Sequence, residues 1–266
     1  MLKKLENLLK SEIDPVFAKR AEFIFEEVEK IKTQKILDAG CGRGFYVKAL
    51  TLYPFIQEIH GIDINPQYIN KAKTICKDRR VNIKKSSIYS TGYKNNYFDF
   101  IICSEVLEHL HNDGKALIEL KRILKPGGIV VITVPNYKFP FLWDPLNWIL
   151  MRFFHTHIPK NIWWLAGIWA DHERLYDISD LVKKIQNTGL TVIKKQSIIS
   201  FSWPFSHFIL YGTGKNIVER LNMKTFSRFE FKKNYFKMLL AKIFSLPSKL
   251  QIGKSAVDIV IVARKD

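Results

Sequence analysis

The sequence predicts an α/β fold, a doubly wound sheet of mostly parallel strands with helices on both faces. Three observations carry that expectation. Strand and helix patterns alternate over about a hundred residues, as successive βαβ units require. Strands such as Ile129-Val-Val-Ile-Thr-Val are apolar without interruption, the pattern of strands covered on both sides. A glycine-rich turn, Gly40-Cys-Gly-Arg-Gly44, lies directly between the first strand and the helix that follows it.

Each element follows in order. Residues 1–33 read as helical, with apolar residues from Leu5 to Val28 at helical spacing and a break at Pro15. Lys35-Ile-Leu-Asp-Ala is a short buried strand, and a helix from Phe45 to Leu52 follows the glycine turn. Ile59 to Asp63 is a second strand. Asn65-Pro66 opens the next helix, since Asn caps well and Pro fits the first helical position. Val81-Asn-Ile and Phe98 to Cys103 are the third and fourth strands. Asp113 is expected to cap a helix that Pro126-Gly-Gly stops, before the fifth strand, Ile129 to Val134. Ser179 is expected to cap a helix that Gly189 ends. Leu190 to Ser200 reads as a strand, residues 205–250 as basic helix, and Ala256 to Ala263 as a last strand. The chain divides into an N-terminal helical segment (1–33), a core (34–136), and an aromatic and basic remainder (137–266) of the same domain.

Composition bounds the function. With 266 residues, 47% hydrophobic, the chain has enough apolar surface for one large domain, which excludes wholesale disorder. Cys41, Cys76 and Cys103 are far apart and in no C-x-x-C pair, so neither a disulfide framework nor a structural zinc site is indicated. No signal-peptide pattern opens the chain, and no uncharged stretch reaches the ~18–20 residues of a membrane span, so a cytoplasmic location is expected. The formal net charge is +17, and Lys183–Asp266 holds sixteen Lys/Arg against four Asp/Glu. Such a balance favours an anionic partner or serves solubility.

The glycine turn carries the chemistry. Its spacing is G-x-G-x-G followed by Phe45, whereas a dinucleotide site reads G-x-G-x-x-G. Asp38 precedes the turn by two residues. A carboxylate there repels a pyrophosphate and suits a cationic ligand. Asp63 ends the second strand, where an acid accepts hydrogen bonds from ribose hydroxyls.

Leu37-Asp-Ala-Gly-Cys-Gly-Arg-Gly, Gly61-Ile-Asp63, Phe98-Asp-Phe-Ile-Ile-Cys-Ser-Glu-Val-Leu-Glu-His-Leu and Leu124-Lys-Pro-Gly-Gly together resemble the successive motifs of class I S-adenosylmethionine-dependent methyltransferases. The branch they resemble is the ubiquinone/menaquinone-biosynthesis type (type 11). The resemblance spans roughly residues 34–136, and His172-Glu-Arg-Leu-Tyr-Asp-Ile-Ser-Asp-Leu is similar to the segment after the fifth strand in that branch. It implies a Rossmann-like sheet of seven strands with the last strand antiparallel. It implies S-adenosyl-L-methionine as cofactor, with Asp38 and Gly40 near the methionine moiety and Asp63 on the ribose. Ser87 then stands where the family commonly has an adenine-contacting Asp, a weaker acceptor. Cys41, Gly42, Gly44, Ile64, Ile88 and Ser104 complete the expected cofactor set.

A hydroxyl acceptor needs a proton acceptor as well as alignment. His109 is the candidate, or else a histidine packed within its own helix. Glu105, Glu108 and His109 at i, i+3, i+4 spacing would share one face of that helix; surface ion pairing is the simpler expectation for them, and no metal is assigned. His155, His157, His172 and Glu173 form a second polar group.

Tyr137–Ala170 holds ten aromatics and five of the six tryptophans, including Trp163 and Trp164. They suit a lid over an apolar pocket, a membrane-interface segment, or packing of the added helices. The basic stretch Lys232 to Phe244 is amphipathic. The expected acceptor is a small apolar or lipid-linked molecule, methylated on oxygen or carbon, with peripheral membrane contact. A nucleic acid is the runner-up, and a non-catalytic binding module is the rival from another class.

Overall fold

The computed structural model describes residues 1–162, 165–209, 235–247 and 255–266. Trp163, Trp164, residues 251–254 and the parts of the expected basic helix at 210–234 and 248–250 lie outside the described residues.

Two helices, α1 (Lys3–Lys10) and α2 (Pro15–Ile31), precede the sheet. The Asp14 carboxylate accepts from the Val16 and Phe17 amides, and Pro15 occupies the first helical position, which fixes the break between them. Alternation then runs as expected: β1 (Lys35–Ala39), α3 (Phe45–Leu50), β2 (Glu58–Asp63), α4 (Pro66–Ile75), β3 (Val81–Lys85) and β4 (Phe98–Ser104). It continues with α5 (Asp113–Ile123), β5 (Leu124–Pro135), α6 (Pro145–Phe153), α7 (Ile178–Asn187), β6 (Thr191–Ile198), α8 (Tyr235–Ser245) and β7 (Asp258–Arg264).

The strands form one seven-stranded sheet in the order β3-β2-β1-β4-β5-β7-β6. β1 to β5 pair in parallel, and β7 runs antiparallel to both its neighbours. The order reverses after β1, so the carboxyl ends of β1 and β4 flank the crevice where such sheets bind ligands. Alternate strand residues face opposite cores. Ile36, Phe100, Ile102 and Val131 pack with α1 to α4 on one face; Leu37, Ile101, Cys103 and Val130 pack with α5 and α7 on the other.

Three local expectations are corrected. Asn112, not Asp113, caps α5, its side chain accepting from the Lys115 amide; Asp113 is the first helical residue and instead receives the Tyr176 hydroxyl and the Lys184 ammonium. Asp177, not Ser179, caps α7 and accepts from both the amide and the hydroxyl of Ser179. In both cases the capping side chain sits one position before the first helical residue, where it reaches amides two or three residues on. Pro126-Gly-Gly does not separate α5 from the strand: β5 begins at Leu124, and a register shift against β4 absorbs the turn.

The aromatic segment after β5 is a built unit. Asp144 and Asn147 are fully buried within it. The Asn147 amide donates to Asp144 (2.8 Å) and to the Ala166 carbonyl (2.9 Å), and its oxygen accepts from the Ile158 amide (2.9 Å). The Asp144 carboxylate also accepts from the Ile168 amide at 2.9 Å. Asn147→Ala strands all three partners in an apolar setting. The expected cost is roughly 2–4 kcal/mol, read as a lower midpoint in urea unfolding; an unchanged midpoint would show that water takes over these bonds.

Candidate active site

The turn after β1 is held from beneath. The Gly40 and Cys41 amides both donate to the Ile62 carbonyl at 2.8 Å, and the Gly44 amide donates to the Cys41 carbonyl at 2.8 Å. Gly40, Gly42 and Gly44 all have positive φ (87°, 50° and 86°). A Cβ on Gly40 would stand 2.4 Å from Val106 Cγ2, and one on Gly44 would stand 2.9 Å from Ala72 Cβ. A Cβ on Gly42 would meet nothing within 4 Å. Gly40 and Gly44 therefore serve packing, and Gly42 is the glycine that leaves space for a ligand.

Both predicted acids lie against this turn. Asp63 Oδ2 accepts from the Gly42 amide (2.9 Å) and Oδ1 from the Asn65 amide (2.8 Å), which fixes the carboxylate plane. Each oxygen keeps capacity for a further donor. Asp38 is 1% exposed, and its Oδ2 has no hydrogen-bond partner among the described residues. Burial, and then the charge of Asp63, push its pKa up to about 8. A buried carboxylate without a partner calls for a cation. S-adenosylmethionine carries an ammonium, a sulfonium and vicinal ribose hydroxyls, so this pair of acids fits it.

The remaining predicted contacts differ in kind. Cys41 is buried, with its sulfur aimed at Gly61 and its amide and carbonyl used within the turn. Ile64 is 69% exposed at the end of β2, and Ile88 is buried against the second core. The Ser87 hydroxyl accepts from the Tyr89 amide at 3.2 Å and shapes a tight turn closed on Ser90.

Ser104 ends β4 inside a directed chain of hydroxyls. Thr133 donates to Glu105 Oε1 (2.8 Å), so it receives the proton of Ser104 (2.9 Å), and Tyr46 in turn lies 3.4 Å from Ser104. Ser104 thus offers a ligand an acceptor rather than a donor. Glu105 adopts a left-handed backbone (φ 55°), and its other oxygen lies 3.1 Å from Arg20 of α2. Arg20 also pairs at 2.5 Å with buried Asp258 of β7. Burial, and then Glu105, raise the Asp258 pKa. Arg20, Tyr46, Thr133 and Asp258 were not legible as site residues, because nothing in the sequence sets Arg20 apart from the other cations.

This geometry corrects the helical face expected for Glu105, Glu108 and His109. Glu105 lies outside any helix and is held by Thr133 and Arg20, while Leu107–His109 form a single 3-10 turn. His172 takes the third place instead: ligand atoms of Glu108, His109 and His172 all lie within 4.8 Å of one another. Glu108 is fully buried, its Oε1 lies 3.6 Å from His109 Nε2, neither of its oxygens has a hydrogen-bond partner among the described residues, and burial raises its pKa well above the ordinary value. His172 Nδ1 is likewise buried without a partner, and burial lowers the ring's pKa to about 3. His109 Nδ1 lies 2.8 Å from the Asp171 carbonyl, and its ring meets His172 edge to face with centroids 4.8 Å apart. The set could hold a divalent cation. His155 and His157 stand apart, His157 stacking on Trp169 at 3.9 Å.

The aromatic insertion is strapped to this corner on its return. The Glu173 amide donates to the Glu108 carbonyl, Arg174 to the Leu110 carbonyl, and the Tyr176 hydroxyl to the Leu107 carbonyl. A depression of about 610 Å³ lined by Thr51, Leu52, Pro54, Asp78, Arg79 and Arg80 lies at the opposite end of the sheet, where β2 and β3 begin.

Residues 37–132 match the family described as a methyltransferase domain. The chain is 27% identical over 194 residues to the ubiquinone biosynthesis O-methyltransferase of Rickettsia bellii, covering 70% of this chain and 74% of that one. It is 30% identical over 139 residues to the small RNA 2'-O-methyltransferase of Mus musculus, covering 47% of this chain and 35% of that one. Among solved structures it is similar to a putative sarcosine dimethylglycine methyltransferase from Galdieria sulphuraria, with a TM-score of 0.60 and 17% identity over 95% of this chain and 91% of that one.

Proposed function

The chain is a class I S-adenosylmethionine-dependent methyltransferase, similar to the ubiquinone-biosynthesis branch, and from that premise we propose that it methylates a small apolar or lipid-linked acceptor on oxygen or carbon. A hydroxyl oxygen is the favoured target, since both relatives described above are named O-methyltransferases. The observation that carries this reading is the position of His109. Its side chain is 41% exposed, oriented by the Asp171 carbonyl, and set between the cofactor end of β4 and the returning strap of the aromatic insertion.

When bound, the cofactor supplies an electrophilic methyl on a sulfonium. The protein's own residues do the rest. Asp38 offers the buried negative charge for the methionine end, Asp63 takes the ribose hydroxyls, Gly42 admits the nucleoside, and Ser87 and Ile88 border the adenine. Ser104, its proton committed to Thr133, accepts rather than donates. With the cofactor bound, His109 would take the proton of the acceptor hydroxyl as its oxygen bonds the methyl carbon and the sulfonium's S–C bond breaks to leave a neutral thioether.

A second reading has one specific observation behind it. Glu108 Oε1, buried without a hydrogen bond among the described residues, lies 3.6 Å from His109 Nε2, and the buried His172 Nδ1 likewise lacks a hydrogen bond; a divalent cation there would bind the acceptor oxygen and lower its pKa directly. Both readings are tested on a phenolic acceptor with an apolar tail. His109→Ala is expected to lower kcat at least a hundredfold with unchanged S-adenosylmethionine affinity by calorimetry; unchanged turnover would reject any role for it. Activity that survives exhaustive chelation assigns His109 as the base, and activity restored only by added Mg²⁺ or Mn²⁺ assigns the cation.

The runner-up acceptor, an RNA 2'-hydroxyl, draws support from the net charge of +17 and the name of the mouse relative. Methyl transfer to short RNA, in preference to the phenol, would establish it. Contact with a membrane surface belongs to the first reading. No helix among the described residues is long and apolar enough to cross a membrane.

A further inference from the structure

The aromatic insertion holds a guanidinium that no acid among the described residues meets. Arg152, in the last turn of α6, is half-buried, and its Nη1 is closed off from solvent without a hydrogen-bond partner among those residues. The only acid of residues 137–162, Asp144, is fully buried and spends its carboxylate on Asn147 and the Ile168 amide. Lys138 and Lys160 of the same segment are already paired, with Asp177 and Glu173. The Arg152 guanidinium lies instead over two rings, 4.5 Å from the centre of Trp148 and 5.5 Å from that of Phe139. A ring face offsets a cation's charge without taking up the in-plane N–H donors of a guanidinium. A charged donor buried without an acceptor is costly to keep, and it calls for an anion.

Its place in the fold says where that anion comes from. Tyr137 and Phe139 follow directly on the end of β5, the strand whose Thr133 receives the Ser104 proton at the cofactor end of the sheet. The exposed Tyr137 phenol is near enough to act on the Arg152 charge, and the Tyr137 amide donates to the Tyr176 carbonyl of the strap at 2.8 Å. On the other side, the Trp169 indole donates to Met151 Sδ at 3.2 Å. That bond ties the neighbour of Arg152 to the segment that carries His172 against His109. The guanidinium thus stands between the carboxyl end of β5 and the segment that closes on His109. Its surroundings select one negative charge on an apolar body. A single guanidinium walled by Trp148 and the buried Phe139 balances a carboxylate, whose two oxygens match its fork. A phosphate monoester would bring nearly twice the charge into the same setting.

We propose that Arg152 is a specificity residue for the acceptor: it receives a carboxylate carried on the acceptor's apolar body, with the Tyr137 hydroxyl as a second donor. The proposal rests on the reading of an apolar hydroxyl acceptor and deepens it by one negative charge, placed away from the hydroxyl that is methylated. Arg152 holds the acceptor equally before and during transfer, so its effect falls on KM and not on kcat.

The test uses the full chain and three phenols whose carboxylate stands at increasing span: hydroxybenzoate, hydroxyphenylacetate and hydroxyphenylbutyrate, each beside its methyl ester. At least one acid is expected to exceed its ester about tenfold in kcat/KM. Arg152→Met should raise KM for that acid about tenfold, with kcat, turnover of the ester and calorimetric binding of S-adenosylmethionine at parent values. Arg152→Lys keeps the charge without the fork and should recover part of the loss. Calorimetric binding of the same acid to the chain loaded with S-adenosylhomocysteine should weaken by a like factor in Arg152→Met. Equal handling of acids and esters by the parent overturns the proposal. So does an Arg152→Met variant that weakens acid and ester alike, which would make the guanidinium a strut between two rings. A phosphonate analogue preferred over the matched acid overturns the assignment to a carboxylate. Acid binding that depends on Arg152, with no phenol or ester methylated, sinks the functional reading and leaves the carboxylate site standing.

Discussion

Gly42→Asn is expected to weaken S-adenosylmethionine binding at least a hundredfold while leaving the melting temperature within a few degrees of the parent. Asn is chosen because it tolerates the left-handed backbone that Gly42 adopts at φ 50°. The strain is then on the order of 1 kcal/mol. A side chain at this position points into open space above the turn, so it displaces ligand rather than protein. Gly40→Ala and Gly44→Ala are the contrast. There the new methyl collides with Val106 or Ala72, and the fold itself should lose several degrees. Calorimetry and thermal melts on the three variants separate the two kinds of glycine. Parent-like affinity in Gly42→Asn would show that the cofactor does not cross this turn.

Asp38→Asn should remove a pH dependence from both stability and binding. The Asp38 carboxyl is buried beside Asp63, and its pKa stands at about 8 against an ordinary 3.8. The folded, ligand-free chain therefore holds a proton there that the unfolded chain releases. Stability from this group is complete below the unfolded value near pH 4 and is lost as the pH rises toward about 8. The Asn variant lacks that loss, so it gains stability relative to the parent across the same window. A cationic ligand needs the ionised form. Below pH 8, cofactor binding by the parent should thus release a proton, which calorimetry in two buffers of different ionisation enthalpy reads directly. The Asn variant should bind at least tenfold more weakly and release none. Equal proton release by both chains would place the charge partner of the cofactor elsewhere.

The comparison between sequence and structure is instructive at particular residues. The turn 40–44, Asp38 and Asp63 were legible because their chemistry is local: a strand end, three glycines and an acid at fixed spacing already define a cradle. The capping positions were off by one residue at Asp113 and by two at Ser179, where two polar candidates lie close together and only the path of the backbone selects between them. The helical face of Glu105, Glu108 and His109 failed for a stronger reason. Spacing of i, i+3, i+4 has meaning only on a helix, and the left-handed Glu105 breaks the helix before it can form.

The sequence by itself determined the alternating architecture, the glycine cradle and its two acids, since hydrophobic period and turn chemistry act over a few residues. Tertiary structure alone decided that Arg20 holds Glu105 and that His172 meets His109. Those contacts join residues 63 to 85 positions apart, and one such pair spans the strap of the insertion. No local pattern encodes them; they exist because burying both faces of the sheet leaves the chain one way to close over its carboxyl edge.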